Sequence, residues 1–299
     1  MRWNFAVAAL AASFGFVSII VQHVDLSAEA LVFYRCVFAV AALATALAVV
    51  GKLTALVARS NVYAVALGTT LGVHWLAFFE TIKLSSVVVA VLAAYTAPIL
   101  VALFAPFFLP ERRSAVGVFA LLPATVGLGL VALGGGEETD VRPLAIATGA
   151  ATALTYAALI IGTKRVSARV SAAGLTFWNY TLSGLTAAPL LLVGGRIVPE
   201  AGELAYIVLL GVVFTAVSGY LYLWLIRRVT AQAMGLLAYL EPVSAAALAW
   251  LILDESLGAR TLIGGTLVIA AGLLVVALER VDEPPLETVG ATSALGSRQ

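Results

Sequence analysis

Residues 231–253 read AQAMGLLAYLEPVSAAALAWLIL, and residues 91–109 read VLAAYTAPILVALFAPFFL. At an offset of 144 the two stretches fall into register, Tyr95 on Tyr239 and Pro98 on Pro242. Glu241 has no twin, because Ala97 holds its place. Each stretch is long and apolar enough to cross a hydrocarbon core as a helix of about 20 residues. Each also carries an internal proline, which removes a helical hydrogen bond and crowds the carbonyl four residues back, that of Ala94 or of Ala238. Interrupted apolar segments in corresponding halves of a chain point to a binding site between two repeats.

The rest of the chain fits that reading. Hydrophobic residues make up 62% of the 299, charged residues 11%, and the mean hydropathy is +1.07. A soluble domain carries roughly 25% charge, so this is an integral membrane protein. Ten apolar runs lie near 3–24, 30–50, 62–82, 86–109, 115–134, 143–163, 172–194, 204–225, 231–253 and 260–279. The alternation of a transmembrane β-barrel is not visible. The first run is too long for a secretory h-region and is followed by further spans. The expected fold is an all-α membrane bundle of ten transmembrane helices.

The offset recurs elsewhere. ALVFYR (30–35) aligns with GLTFWN (174–179), and Glu111 of FLPERR with Glu255 of LDESL. At 143, Tyr63 and Gly68 meet Tyr206 and Gly211. Five spans per half is an odd number, so the halves cross the membrane in opposite senses. Such inverted-topology repeats surround a central cavity in secondary transporters. The repeats are assigned to 1–137 and 138–280, divided at the acidic stretch GGGEETDVRP. A polar tail, 281–299, is expected to be disordered on the cytoplasmic side.

Lys and Arg set the direction. With the N-terminus inside, Arg2, Lys52, Arg59, Arg112, Arg113, Lys164, Arg165, Arg169, Arg227, Arg228, Arg280 and Arg298 are cytoplasmic. Only Lys83, Arg142, Arg196 and Arg260 lie outside, and Arg35 falls within a span. Both termini are therefore expected in the cytoplasm, with the chain in a bacterial inner membrane. No basic tract suggests nucleic acid. The single cysteine, Cys36, excludes an internal disulfide. A monomer is expected.

Several motifs together carry a family resemblance. The third span ends in ETIKLSS and is followed by AYTAPILVALFAPFFLPER and a Gly-bearing helix. The pattern returns as AYLEPVSAAALAWLILDESLGARTLIGGTLVIAAG. It resembles the EamA-type, ten-helix branch of the drug/metabolite transporter superfamily over all but the tail. The resemblance implies an exporter-like carrier whose cavity is built by both halves. Within the branch the chain looks most like bacterial exporters of amino acids, including aromatic ones.

Candidate site residues follow from membrane depth. Glu241 lies about ten residues into its span, where an ionised carboxylate is costly unless paired, protonated or wetted. Three readings compete: a proton carrier, a partner for a substrate ammonium, or a structural acid beside backbone freed by Pro242. Tyr239 and Glu241 are two residues apart and point about 160° from each other on a regular helix. Both reach one cavity only if the proline breaks the helix. The small residues Ala94, Pro98 and Ala105, and their counterparts Ala238, Pro242 and Ala249, form stripes suited to close helix packing.

His74, Trp75 and Phe78 share a broad face of the third span. His74 either faces the cavity or bonds a neighbouring helix. Tyr34 and Trp178 correspond by repeat, as do Arg35 and Asn179, and the aromatic pair suits flat faces around a substrate side chain. Arg35 is a gate, a packing element or a carboxylate binder. Phe14, Tyr95, Tyr156, Tyr220 and Tyr222 wall the cavity or pack. The substrate-binding set is thus His74, Trp75, Phe78, Tyr95, Trp178, Asn179, Tyr239 and Glu241, with Pro98, Pro242 and Arg35 for kinking or gating.

An apolar, aromatic cavity with few charges suits amphipathic small molecules better than phosphates, which call for Lys/Arg clusters. No ligand-spaced His, Cys or carboxylate set suggests a metal. No cofactor is called for, and no GxSxG, HExxH or Walker motif suggests an enzyme or an ATP-driven pump. The expected function is alternating-access export of amino acids. The alternative is proton-coupled efflux of drugs or lipophilic cations.

Overall fold

A computed structural model describes residues 2–56, 61–85, 87–111, 114–133, 143–167, 170–193, 195–253 and 258–278. Glu255, the 134–142 stretch and the 281–299 tail lie outside the described residues.

Among the described residues the helices group into ten consecutive segments. They are α1 (Arg2–Ser13, then Gly15–Val21), α2 (Ala28–Val49), α3 (Asn61–Leu84), α4 (Val87–Ala94, then Ala97–Phe108) and α5 (Ala115–Leu133). Next come α6 (Pro143–Ser167), α7 (Ala172–Ala187), α8 (Leu204–Arg228), α9 (Ala231–Leu237, then Leu240–Leu253) and α10 (Ala259–Leu278). Among the described residues, eight segments are long and apolar enough to cross a membrane. Ala115–Val131 of α5 is a shorter apolar helix, and α7 gives way to a 3-10 turn at Ala188–Leu192. The chain is an all-helical, multi-span membrane protein.

Local chemistry fixes where segments start and break. Ser27 opens α2 by accepting the Ala30 N–H at 3.3 Å, and Ser171 opens α7 by accepting that of Gly174 at 3.0 Å. These serines again stand 144 residues apart. Thr230 opens α9 in the same way, through the Ala233 N–H at 3.0 Å. α4 breaks at Tyr95–Thr96 and α9 at Ala238–Tyr239. In each the break precedes a proline by a few residues, as the missing N–H demands. The carbonyl of Ala238 that Pro242 cannot serve accepts the Glu241 N–H instead, at 3.1 Å.

Helix α3 packs between α6 and α7, α2 against α7 and α8, α4 against α6 and α9, and α9 against α1. The α5–α10 crossing is the closest in character to a small-residue seam. An added Cβ on Gly127 would sit 2.5 Å from the Gly264 carbonyl oxygen, so the two backbones touch there only because both residues lack one. The largest core cluster gathers Tyr95, Leu128, Ile226, Met234, Leu237 and Tyr239, each almost fully buried. That cluster places the breaks of α4 and α9 side by side at the centre of the bundle. Outward faces carry exposed Phe5, Phe107, Phe119 and Leu122, the pattern of a lipid-facing surface.

Candidate central site

The two interrupted helices are joined through their tyrosines. Tyr239, with no exposed surface, donates its hydroxyl proton to the main-chain carbonyl of Tyr95 at 2.7 Å. Thr125 of α5 then donates to the Tyr239 oxygen at 3.2 Å, since that tyrosine's one proton is committed. The two tyrosine rings lie 5.6 Å apart. Breaking α4 at Tyr95 frees a carbonyl, and the partner helix supplies the donor for it. Pro98 then seats against α9, where an added Cβ on Gly235 would lie 3.4 Å from the proline Cα.

Glu241 projects to the other side of the break. It is half-buried, hydrogen-bonded with the Tyr95 side chain, and within electrostatic reach of Tyr156 and Arg35. It lines a cavity of about 50 Å³ together with Phe14 of α1, Tyr156 of α6, Tyr222 of α8, and Met234 and Ala238 of α9. Val7, Leu10 and Ala11 complete the wall from α1. A water occupies about 30 Å³ in the liquid, so the space holds water and no amino acid. The carboxylate is hydrogen-bonded to Tyr95 and faces a small, largely apolar and aromatic pocket.

The break therefore separates the two residues rather than uniting them. Tyr239 faces away from the cavity and braces α4, while Glu241 faces in. His74 is buried in the α3–α6 contact. Its Nδ1 lies 3.1 Å from the Thr152 carbonyl oxygen and 3.2 Å from the Thr155 hydroxyl oxygen. A carbonyl only accepts, so Nδ1 carries the proton. The His74 ring stands 5.1 Å from that of Tyr156, and Tyr156 6.4 Å from that of Tyr95. His74 thus backs the cavity wall from behind. Phe78 packs on the same central cluster.

Arg35 and Trp75 form a second focus. The guanidinium lies 4.7 Å over the Trp75 ring, and Nε donates to Thr215 Oγ1 at 3.0 Å. Trp75 stacks on Tyr180 with ring planes 3° apart. Arg35 and Glu241 feel each other's charge, although each is held by neutral partners.

The repeat-related pair Tyr34 and Trp178 is not brought together. Tyr34 packs with Ile20, Leu31 and Ile207, whereas Trp178 packs with Leu67, Leu159 and Leu223. Asn179 is buried against Gly68 of α3, with its Oδ1 lacking a hydrogen-bond partner among the described residues. Tyr220 is surface-exposed. Sequence reasoning missed the contribution of α1 beyond Phe14, and it missed Thr215 and Tyr180. The signal for α1 was weak, since over residues 3–21 its apolar run offers only Asn4, Ser13 and Ser18 to mark a face. For Thr215 there was none, because one threonine among many carries no mark.

Comparisons with known proteins bear on this arrangement. The profile described as the EamA-like transporter family matches residues 1–133 and 143–277. A protein of Archaeoglobus fulgidus named "Uncharacterized transporter" is 28% identical over 197 residues, 66% of this chain and 70% of that one. "Uncharacterized transporter YxxF" of Bacillus subtilis is 24% identical over 236 residues, 78% of this chain and 76% of its own. A solved crystal structure superposes with a TM-score of 0.76 at 20% identity, covering 91% of this chain and 95% of the other. That last likeness concerns the fold alone.

Proposed function

Because the chain belongs to the EamA-like transporter family, we propose that this transporter exports amino acids, aromatic and neutral ones included, by alternating access. One observation carries the choice of substrate. Arg35 and Glu241 are opposite charges within electrostatic reach of each other inside the bundle, each bound to neutral groups rather than to the other. A zwitterion needs a cation for its carboxylate and an anion for its ammonium, and this pair offers both. The aromatic lining of Phe14, Tyr156 and Tyr222 suits an apolar or aromatic side chain.

The halves 1–137 and 138–280 rock about the Tyr95–Tyr239 contact, in a cytoplasmic membrane with both chain ends inside. The bias of Lys and Arg supports that orientation. In this reading the cavity of about 50 Å³ is a closed state. Loading requires α1, which supplies one wall, to draw away from α9.

The test is uptake of labelled phenylalanine and threonine into proteoliposomes without an imposed ion gradient. Saturable uptake, blocked by unlabelled amino acids, is the expected result. Glu241→Gln then lowers it by about tenfold or more, because the ammonium loses a charge-assisted partner. Vesicles that ignore amino acids but accumulate a cationic dye under a pH gradient would instead establish proton-coupled cation efflux.

A further inference from the structure

Within α8, residues Val212–Val217 wind as a π-helical turn. Such turns are rare and, where they occur, are frequently at functional sites. Here the presented residue is Thr215, which has no exposed surface. Its hydroxyl donates to the Leu210 carbonyl five residues back, at 2.8 Å. Ser218 repeats the pattern on the Val213 carbonyl at 2.9 Å. A hydroxyl has one proton. With that proton held by Leu210, Thr215 can meet Arg35 only as an acceptor, and it does so at Nε, 3.0 Å away.

The consequence is a fixed guanidinium. Trp75 sets its plane from one face at 4.7 Å, and Trp75 is itself stacked on Tyr180. The Nε bond sets its rotation within that plane. Among the described residues neither Nη1 nor Nη2 has a hydrogen-bond partner. A planar fork with two open terminal nitrogens matches a carboxylate bidentately, provided its orientation is settled before the ligand arrives. Lysine at this position would keep the charge and lose the fork.

We propose that Thr215, presented by the π-helical turn, is the positioning residue that aims Arg35 at the substrate carboxylate and so selects amino acids over the corresponding amines. The inference rests on the amino-acid reading above and adds to it the device that discriminates. It assigns Thr215 no contact with substrate. Its effect passes through Arg35.

The experiment compares labelled phenylalanine with labelled phenethylamine, which differs by the carboxylate alone, in proteoliposomes of the full chain. In Thr215→Val the KM for phenylalanine rises about tenfold, a loss in the range for a hydrogen bond to a charged group. Phenethylamine transport is unchanged, and Thr215→Ser restores the original preference. Arg35→Lys gives the same selective rise without touching the π-helical turn, which keeps the test usable if the valine variant does not fold. Equal effects on both substrates, or none on either, overturn the role of Thr215. An unmodified protein that carries no phenylalanine overturns the amino-acid reading itself, before any variant is made.

Discussion

The two ends of the bundle tie the same two halves together by different physics. At the end assigned to the outside, the turn between α1 and α2 meets the turn between α7 and α8. Glu203 accepts the N–H groups of Asp25 and Glu200, both at 2.7 Å, and pairs with Arg196. Arg196 reaches back to the Asp25 carbonyl at 2.5 Å, and its own carbonyl accepts the Ser27 N–H at 2.9 Å. At the end assigned to the cytoplasm, Glu111 at the foot of α4 sits in the junction of α8 and α9. One carboxylate oxygen accepts the Ala231 N–H at 2.9 Å, and the other pairs with Lys164 at 3.2 Å. Lys164 also donates to the carbonyls of Ile226 and Val229. A negative group thus stands at the start of α9 and a positive one at the end of α8, as both helix dipoles favour.

Exposure separates them. The side chains of Asp25 and Glu200 are 100% and 79% exposed and that of Arg196 is 32% exposed, so that only Glu203, at 11%, is buried there. Both partners of the other pair are largely buried, Lys164 at 16% and Glu111 at 19%. Ion pairs in water are screened and contribute little, whereas stripping one partner from a buried pair leaves the other uncompensated. The Glu111 end is therefore bolted and the Glu203 end latched. In the proposed orientation and alternating-access cycle, opening at the latched, outer end is the cheaper motion.

The largest expected effect breaks the bolt. Glu111→Ala leaves Lys164 without its counter-charge and the Ala231 N–H without its acceptor, a loss of about 3 kcal/mol. Thermal unfolding of the purified protein in detergent should move down by several degrees. Adding Lys164→Met to the same chain should recover part of that loss, since the stranded charge is gone. A double variant no more stable than the single one would mean that Lys164 serves mainly the carbonyls of Ile226 and Val229.

The matching change at the other end, Arg196→Gln, sharpens the contrast by its smallness. Its partners Asp25 and Glu200 are solvated, and the buried Glu203 carboxylate keeps both of its backbone donors. The unfolding midpoint should stay within about 2 °C of the parent. A shift as large as that of Glu111→Ala would show the two ends to be equivalent and remove the asymmetry.

Much of this architecture was legible in the sequence, and the boundary of legibility has a physical form. Among the described residues, the positions of eight spans came through to within a few residues because a bilayer imposes a length and a composition on a crossing helix. The breaks at Tyr95 and Ala238 came through because proline announces its missing donor. Arg35 stood out because a charge at depth is rare. The π-helical turn did not, since the VVFTAV of residues 212–217 contains nothing that an α-helix would refuse. Nor did the two clasps, whose members lie far apart in the chain, as with Asp25 and Glu203 or Glu111 and Ala231. Tyr34 and Trp178 lie in different clusters for a related reason. A repeat relates positions within halves, while contact depends on how the halves meet.

The smallest effect concerns acid. The backbone N–H of Glu200, first among its causes, holds the Glu203 carboxyl below its ordinary value near 4.5, with the Asp25 N–H and Arg196 adding to it. A carboxyl lowered by folding contributes stability that is complete above its unfolded value and disappears as pH falls through the folded one. Between neutrality and about pH 5 the outer latch should therefore be insensitive to pH. Below its ordinary value, protonation removes the charge that both N–H groups and Arg196 share, and the latch loosens. Lys164 and Glu111 lie at the far end and take no part in this. Hydrogen exchange at the Asp25 and Glu200 amides, corrected for the intrinsic rate, reads the change directly. Protection constant from neutral to mildly acidic pH and falling only under stronger acid is the expected course. Loss of protection already near pH 6 would assign the latch to a titrating group other than Glu203.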